Sequence, residues 1–123
     1  MKLTKNFSLS EFESKDGADM PNAVLENIKE VASNLQALRD YIGEPIKVNS
    51  GYRSPKHNKS IGGVKNSRHI KGQAADICVL GMRSRDVVKA IKKLISEGKM
   101  KEGGIGTYET FVHYDIRGTK ARW

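Results

Sequence analysis

At 123 residues the chain has room for one domain, residues 1–123, with a modest core. Its 37% apolar and 29% charged residues exclude a disordered or fibrous protein, and no stretch approaches the roughly 20 apolar residues of a membrane span. The net charge of +8 is unevenly spread: no acidic residue lies between Glu44 and Asp76, an interval that holds Lys47, Arg53, Lys56, Lys59, Lys65, Arg68 and Lys71. Such a field attracts a polyanion or a carboxylate-bearing substrate, or is simply a solvated lysine-rich surface.

The opening "MKLTKNFSLSEF" has basic residues but lacks the continuous apolar core of a secretory signal. The chain is therefore expected to stay cytoplasmic until something releases it. Residues 8–13, "SLSEFE", predict a helical turn capped by Ser8 or Ser10. From Asn22 to about Tyr41, Val24, Leu25, Ile28, Val31, Leu35 and Leu38 recur at steps of three and four. They form the buried face of an amphipathic helix that starts near Pro21 and stops at Gly43.

"PIKVNSGY" alternates and reads as a strand ending in a turn. Residues 51–73 follow as a long irregular loop with five glycines or prolines, and a loop of that length in a small domain is usually functional or disordered. "AADICVL" predicts a central strand in which the single cysteine, Cys78, is a small buried hydrophobe. A second helix spans about Ser84 to Glu97, with Gly98 past its end. "GGIGTYETFVHYDIRG" gives two antiparallel strands joined near Glu109. The order predicts an α+β fold, a small, mainly antiparallel sheet with helices packed on one face.

Three residues suggest a metal site. His69 and Asp76 flank the glycine-containing turn "IKGQAA", so the chain can fold back and bring both side chains to one point. In "FVHYDIR", alternation puts Phe111, His113 and Asp115 on one face, opposite Val112, Tyr114 and Ile116. Two histidines and a carboxylate with a water in the fourth position is the open tetrahedral pattern of catalytic zinc. His113 and Asp115 also fit a solvent-facing cross-strand pair. Arg53, at the mouth of the long loop, suits a bidentate grip on a carboxylate, and Ser67 can offer a hydroxyl to the same substrate. Loop packing would account for either residue equally well.

The segments "SGYRSPKHN", "GGVKNSRHIKGQAADI" and "GGIGTYETFVHYDIRG" resemble the zinc D-alanyl-D-alanine peptidases of the hedgehog/DD-peptidase fold. "FSLSEF" and "LRDYIGEPIKVNSGYRS" resemble their compact branch, found in bacteria and phages. The likeness covers nearly the whole chain. It implies zinc held by His69, Asp76 and His113, with Gly72 closing the turn, Ser67 lining the substrate cleft and Arg53 gripping the peptide. The implied activity is hydrolysis of a bond next to D-alanine in peptidoglycan stem peptides, by carboxypeptidase or endopeptidase action. Action at the cell wall as a monomer is expected, and a host recycling enzyme, a prophage lysis protein and a toxin are all compatible settings.

One departure concerns the general base. Many relatives have an acidic residue three positions before the last histidine, where this chain has Thr110. Asp115, whose direction alternation fixes, is the favoured substitute, and Glu109 at the strand turn is the other candidate. His57 reads as a surface residue. Two other functional classes fit less of the chain. A catalytically inactive zinc-stabilised cell-wall binding module is compatible with Thr110. A nucleic-acid binder is compatible with the basic interval, but Tyr52 is the only aromatic there on which a base could stack.

Overall fold

A computed structural model describes all 123 residues. A 3-10 turn at Leu9–Phe12 precedes helix α1 (Asn22–Ile42), strand β1 (Ile46–Ser50) and the short helix α2 (Pro55–Ser60). A second 3-10 turn, Arg68–Lys71, then leads into β2 (Ala74–Val79). Helix α3 (Ser84–Ser96) and strands β3 (Gly104–Thr107), β4 (Val112–Asp115) and β5 (Ala121–Arg122) complete the chain.

Local chemistry sets these boundaries. The Glu11 carboxylate accepts from Ser8 N–H at 2.8 Å, which pins the first turn. Helix α1 ends where Gly43, in the left-handed region, donates its N–H to Arg39 O at 3.0 Å. Its three-and-four spacing buries Val24, Ile28, Val31, Leu35 and Leu38. Each fully buried aliphatic side chain of this kind stabilises by about 1.5–3 kcal/mol.

The five strands form one sheet in the order β1-β2-β4-β3-β5, antiparallel except where β5 runs parallel to β3. Strand alternation gives the sheet two different faces. On one, Ile46, Val48, Ala75, Ile77, Val79, Val112 and Tyr114 join residues of α1 and α3 in a single core. On the other, register places Ser50 opposite Asp76, Asp76 opposite His113, and His113 opposite Gly106. That row crosses four strands and supports the site.

The predicted α+β fold, with a mainly antiparallel sheet, is the one observed. Three details differ from the sequence reading. Residues 51–73 are not wholly irregular, because they contain α2 and the second 3-10 turn. Helix α2 escaped notice because "PKHNKS" has no apolar face, and Ser54 starts it by accepting the His57 N–H at 3.1 Å. Strand β5 is only two residues long and follows no alternating run. Cys78 is half-buried rather than buried, because its position in β2 faces away from the core.

Candidate metal centre and its cleft

His69 stands on the 3-10 turn that Ser67 initiates. The Ser67 hydroxyl oxygen accepts the His69 N–H at 3.2 Å, and the carbonyl of His69 accepts from Arg53 N–H at 3.0 Å. Gly72 closes the turn with φ of +71°. A Cβ there would also press into Val24 of α1, so both conformation and space require glycine. Asp76 and His113 face each other across β2 and β4. Asp76 Oδ1 lies 3.2 Å from His69 Nε2 and 3.3 Å from His113 Nδ1, and ligand atoms of the three residues all fall within 4.8 Å of one another. All three side chains are buried.

The outward nitrogens of both rings are already committed. His69 Nδ1–H donates to Gly51 O at 2.7 Å, and His113 Nε2–H donates to Asp115 Oδ2 at 2.7 Å. This leaves His69 Nε2 and His113 Nδ1 converging on a carboxylate oxygen. Unless a cation lies between them, lone pairs point at lone pairs. Two imidazoles with fixed tautomers and one carboxylate are a donor set that fits zinc, and the outer partners orient its ligands. Burial disfavours ionised Asp76, but the two histidines beside its Oδ1 outweigh burial and hold its pKa well below the usual carboxylate range.

Asp115 is fully buried and has no free oxygen. Besides His113, Oδ1 accepts from Gly104 N–H at 2.9 Å and from Arg117 N–H and Nε–H at 3.1 and 2.9 Å, and Oδ2 accepts from the Arg117 terminal nitrogen at 2.7 Å. Burial opposes its charge, and the bonds from His113 and Arg117 more than restore it. Alternation does put Asp115 on the face of His113. That face is covered at this position, so the carboxylate meets the back of the ring and not the space between the three ligands.

The centre opens into a cleft of about 510 Å³. The 51–72 connection supplies one wall, including Arg53, Ser67 and Arg68. The β3–β4 turn and the residues after β4 supply the other, including Tyr108, Phe111, Arg117 and Trp123. Arg53 lies beside the centre with three bonds: Nε to Ser50 Oγ at 3.1 Å, one terminal nitrogen to Asn58 Oδ1 at 3.3 Å, and the other to Asp76 Oδ2 at 3.1 Å. Asp76 is the only carboxylate lining the cleft. Glu109 and Thr110 line a separate groove with Cys78 and Met82, and Glu109 is exposed. His57, in α2, is half-buried and outside the cleft.

The aromatic wall is the part the sequence reading missed. Trp123 N–H donates to Ile105 O at 3.1 Å, and its carbonyl accepts from Thr107 N–H at 2.7 Å, which seats the residue beside Gly106. A Cβ at Gly106 would come within 2.5 Å of the indole nitrogen, so the bare backbone makes room for the ring. The indole centroid is 5.0 Å from that of His113, with the Arg117 guanidinium 5.3 Å from the indole ring, and its N–H donates to Tyr108 Oη at 2.9 Å. Tyr108 stacks on Phe111 at 4.4 Å. Alternation had already put Phe111 on the face of His113. Nothing local pointed to Trp123.

Comparison with known proteins agrees with this geometry. The chain is 36% identical over 98 residues to the peptidoglycan L,D-endopeptidase MepK of Escherichia coli K12, which covers 72% of this chain and 50% of that protein. It is 37% identical over 89 residues to the probable peptidoglycan L,D-endopeptidase MepK of Haemophilus influenzae, covering 67% and 45%. It is also 43% identical over 60 residues to the zinc D-Ala-D-Ala carboxypeptidase of Streptomyces albus G, covering 42% and 24%. The chain thus spans half or less of the length of these curated relatives. Residues 2–115 match the peptidase M15 family model, and the chain belongs to that family.

Proposed function

We propose that this chain is a zinc peptidase that hydrolyses a peptide bond in peptidoglycan stem peptides, and so acts at the cell wall. The observation that carries the reading is the convergence of His69, Asp76 and His113 in a cleft, with each ring's outer nitrogen already tied. Relatives whose names denote peptidoglycan endopeptidase and zinc carboxypeptidase activity support it. Bound zinc supplies a Lewis acid that polarises the scissile carbonyl and makes water nucleophilic near neutral pH.

The chain's own residues do the rest. Gly51 O and Asp115 fix the tautomers of His69 and His113. Arg53 orients Asp76 and offers the N–H groups not spent on Ser50, Asn58 and Asp76 to a substrate oxygen. Ser67 accepts from the backbone and keeps its own O–H for the peptide. Asp115 serves as a positioning residue. Glu109, exposed on the β3–β4 turn but lining a separate groove, is the remaining candidate for taking the proton from water, and its side chain would have to turn towards the cleft to do so.

A second reading, a zinc-stabilised module that binds the cell wall without cleaving it, is favoured by one observation: Asp76 is the cleft's sole carboxylate. Digestion of purified peptidoglycan by fully zinc-loaded protein, followed by mass spectrometry of the fragments, decides. Release of a single terminal amino acid identifies a carboxypeptidase, and splitting of cross-linked muropeptides identifies an endopeptidase. No product at full zinc loading leaves the binding module.

A further inference from the structure

Three arginines line the cleft, and two of them are neutralised. Arg53 pairs with Asp76 at 3.1 Å and Arg117 with Asp115 at 2.7 Å. Arg68 pairs with no carboxylate. Its guanidinium makes one long bond, 3.3 Å, to the neutral Gln73 Oε1, although the residue is half-buried beside the buried Ser67 and His69. With Asp76 serving Arg53 and the histidines, the cleft holds no acid that could answer Arg68. Around it runs the acid-free interval from Lys47 to Lys71, which keeps the local potential positive.

A half-buried guanidinium with most of its donors unspent is ready to donate to a planar anion. Its fork matches a carboxylate through two parallel bonds, a match that lysine cannot reproduce. It lies in sequence between the Ser67 that starts the turn and the His69 that reaches the metal centre, so its backbone is anchored beside the site. The opposite wall, with Tyr108, Phe111 and Trp123, provides no second cation except the already paired Arg117.

We infer that Arg68 is a specificity-determining residue: it binds a carboxylate of the peptide and makes this cleft selective for anionic over amidated substrates. The inference rests on the peptidase reading for its substrate class. Arg53, tied to Asp76, acts on every substrate alike, whereas Arg68 separates one from another.

The test uses a stem peptide and analogues in which each carboxylate in turn is replaced by a carboxamide. Binding is measured by calorimetry on zinc-free protein, and kcat/KM on the zinc-loaded protein. The wild type should prefer the carboxylate form at one position by about tenfold or more, the scale of a charge-assisted hydrogen bond. Arg68→Gln should bring that ratio to within about threefold of one in both measurements, with zinc content and melting temperature unchanged. Arg68→Lys should recover only part of it. A wild type that does not discriminate at any carboxylate, or an Arg68→Gln variant that discriminates as well as the wild type, overturns the inference. Binding selectivity that depends on Arg68 without any turnover sustains the inference and sinks the peptidase reading instead.

Discussion

His69 and His113 offer the same group to the same point, but they are held in different ways. His69 sits on a 3-10 turn, and its outer nitrogen donates to a backbone carbonyl, that of Gly51. His113 sits in the interior of a sheet, and its outer nitrogen donates to a carboxylate that is itself held by Arg117 and Gly104. The ring of the loop histidine is therefore oriented by a backbone carbonyl that no side-chain substitution deletes. The strand half depends on a charged relay, Asp115 to Arg117, that one substitution can cut. A neutral carbonyl partner also raises ligand basicity less than an anionic one does, so His113 would be the more electron-rich ligand to a bound metal.

The largest effect should come from the ligands themselves. Replacing His69, Asp76 or His113 with alanine should abolish activity and bring zinc well below one atom per chain. Elemental analysis checks this, and full zinc occupancy in His113→Ala would remove that residue from the ligand set. The asymmetry between the two histidines appears one step further out. Asp115→Asn should weaken zinc binding by about 10–100-fold, the usual consequence of losing an outer-sphere partner, and turnover should return when zinc is added in excess. A general base behaves differently: its loss leaves affinity intact and lowers turnover by about 100-fold or more at saturating zinc. Glu109→Gln should show that second pattern. If the two variants exchange behaviours, Asp115 is the base and the comparison between the histidines collapses.

A smaller loss is expected at Arg53. Arg53→Lys keeps a charge near Asp76 but cannot reach Ser50, Asn58 and Asp76 together, so kcat/KM should fall by about tenfold on carboxylate and amidated peptides alike. A loss confined to one peptide would give Arg53 the selective role instead of Arg68.

Much of this was legible before the fold was known, for identifiable reasons. Helices α1 and α3 have long periodic apolar faces, and the alternation of β4 put His113 and Phe111 on one side. The turn around Gly72 and a late histidine suggested that His69, Asp76 and His113 come together, as they do; their role as zinc ligands was implied by the family resemblance. Asp115 was placed on the right face, yet alternation gives a direction and not what lies in that direction. Arg117 is two residues further along and folds back over the carboxylate, a tertiary event without a periodic signature. Arg68 and Trp123 were silent for a related reason. The first is distinguished by the partner it lacks, the second by a parallel pairing with β3 that only the assembled sheet reveals.

The smallest effect concerns how the loop half is tied to the N-terminal segment. Asp16 Oδ1 accepts from Ser14 Oγ at 2.6 Å and from Ala18 N–H at 3.1 Å, and Oδ2 accepts from Ser54 Oγ at 2.7 Å. Ser54 in turn starts α2, so Asp16 braces the connection that carries the basic wall of the cleft. The hydrogen bonds from Ser14, Ser54 and Ala18 lower its pKa from 3.8 to about 2. A carboxylate more acidic in the folded than in the unfolded chain stabilises the fold fully above the unfolded value, and that contribution fades as pH falls through the folded one. The difference in melting temperature between wild type and Asp16→Asn should therefore be constant above about pH 4 and shrink towards pH 2. Release of metal at acid pH affects both proteins and cancels in the difference. Because Asp16 is exposed, added salt should diminish the difference as well. A difference that persists unchanged at pH 2 would mean that the neutral side chain braces the loop as well as the ionised one, and that the loop half owes nothing to charge.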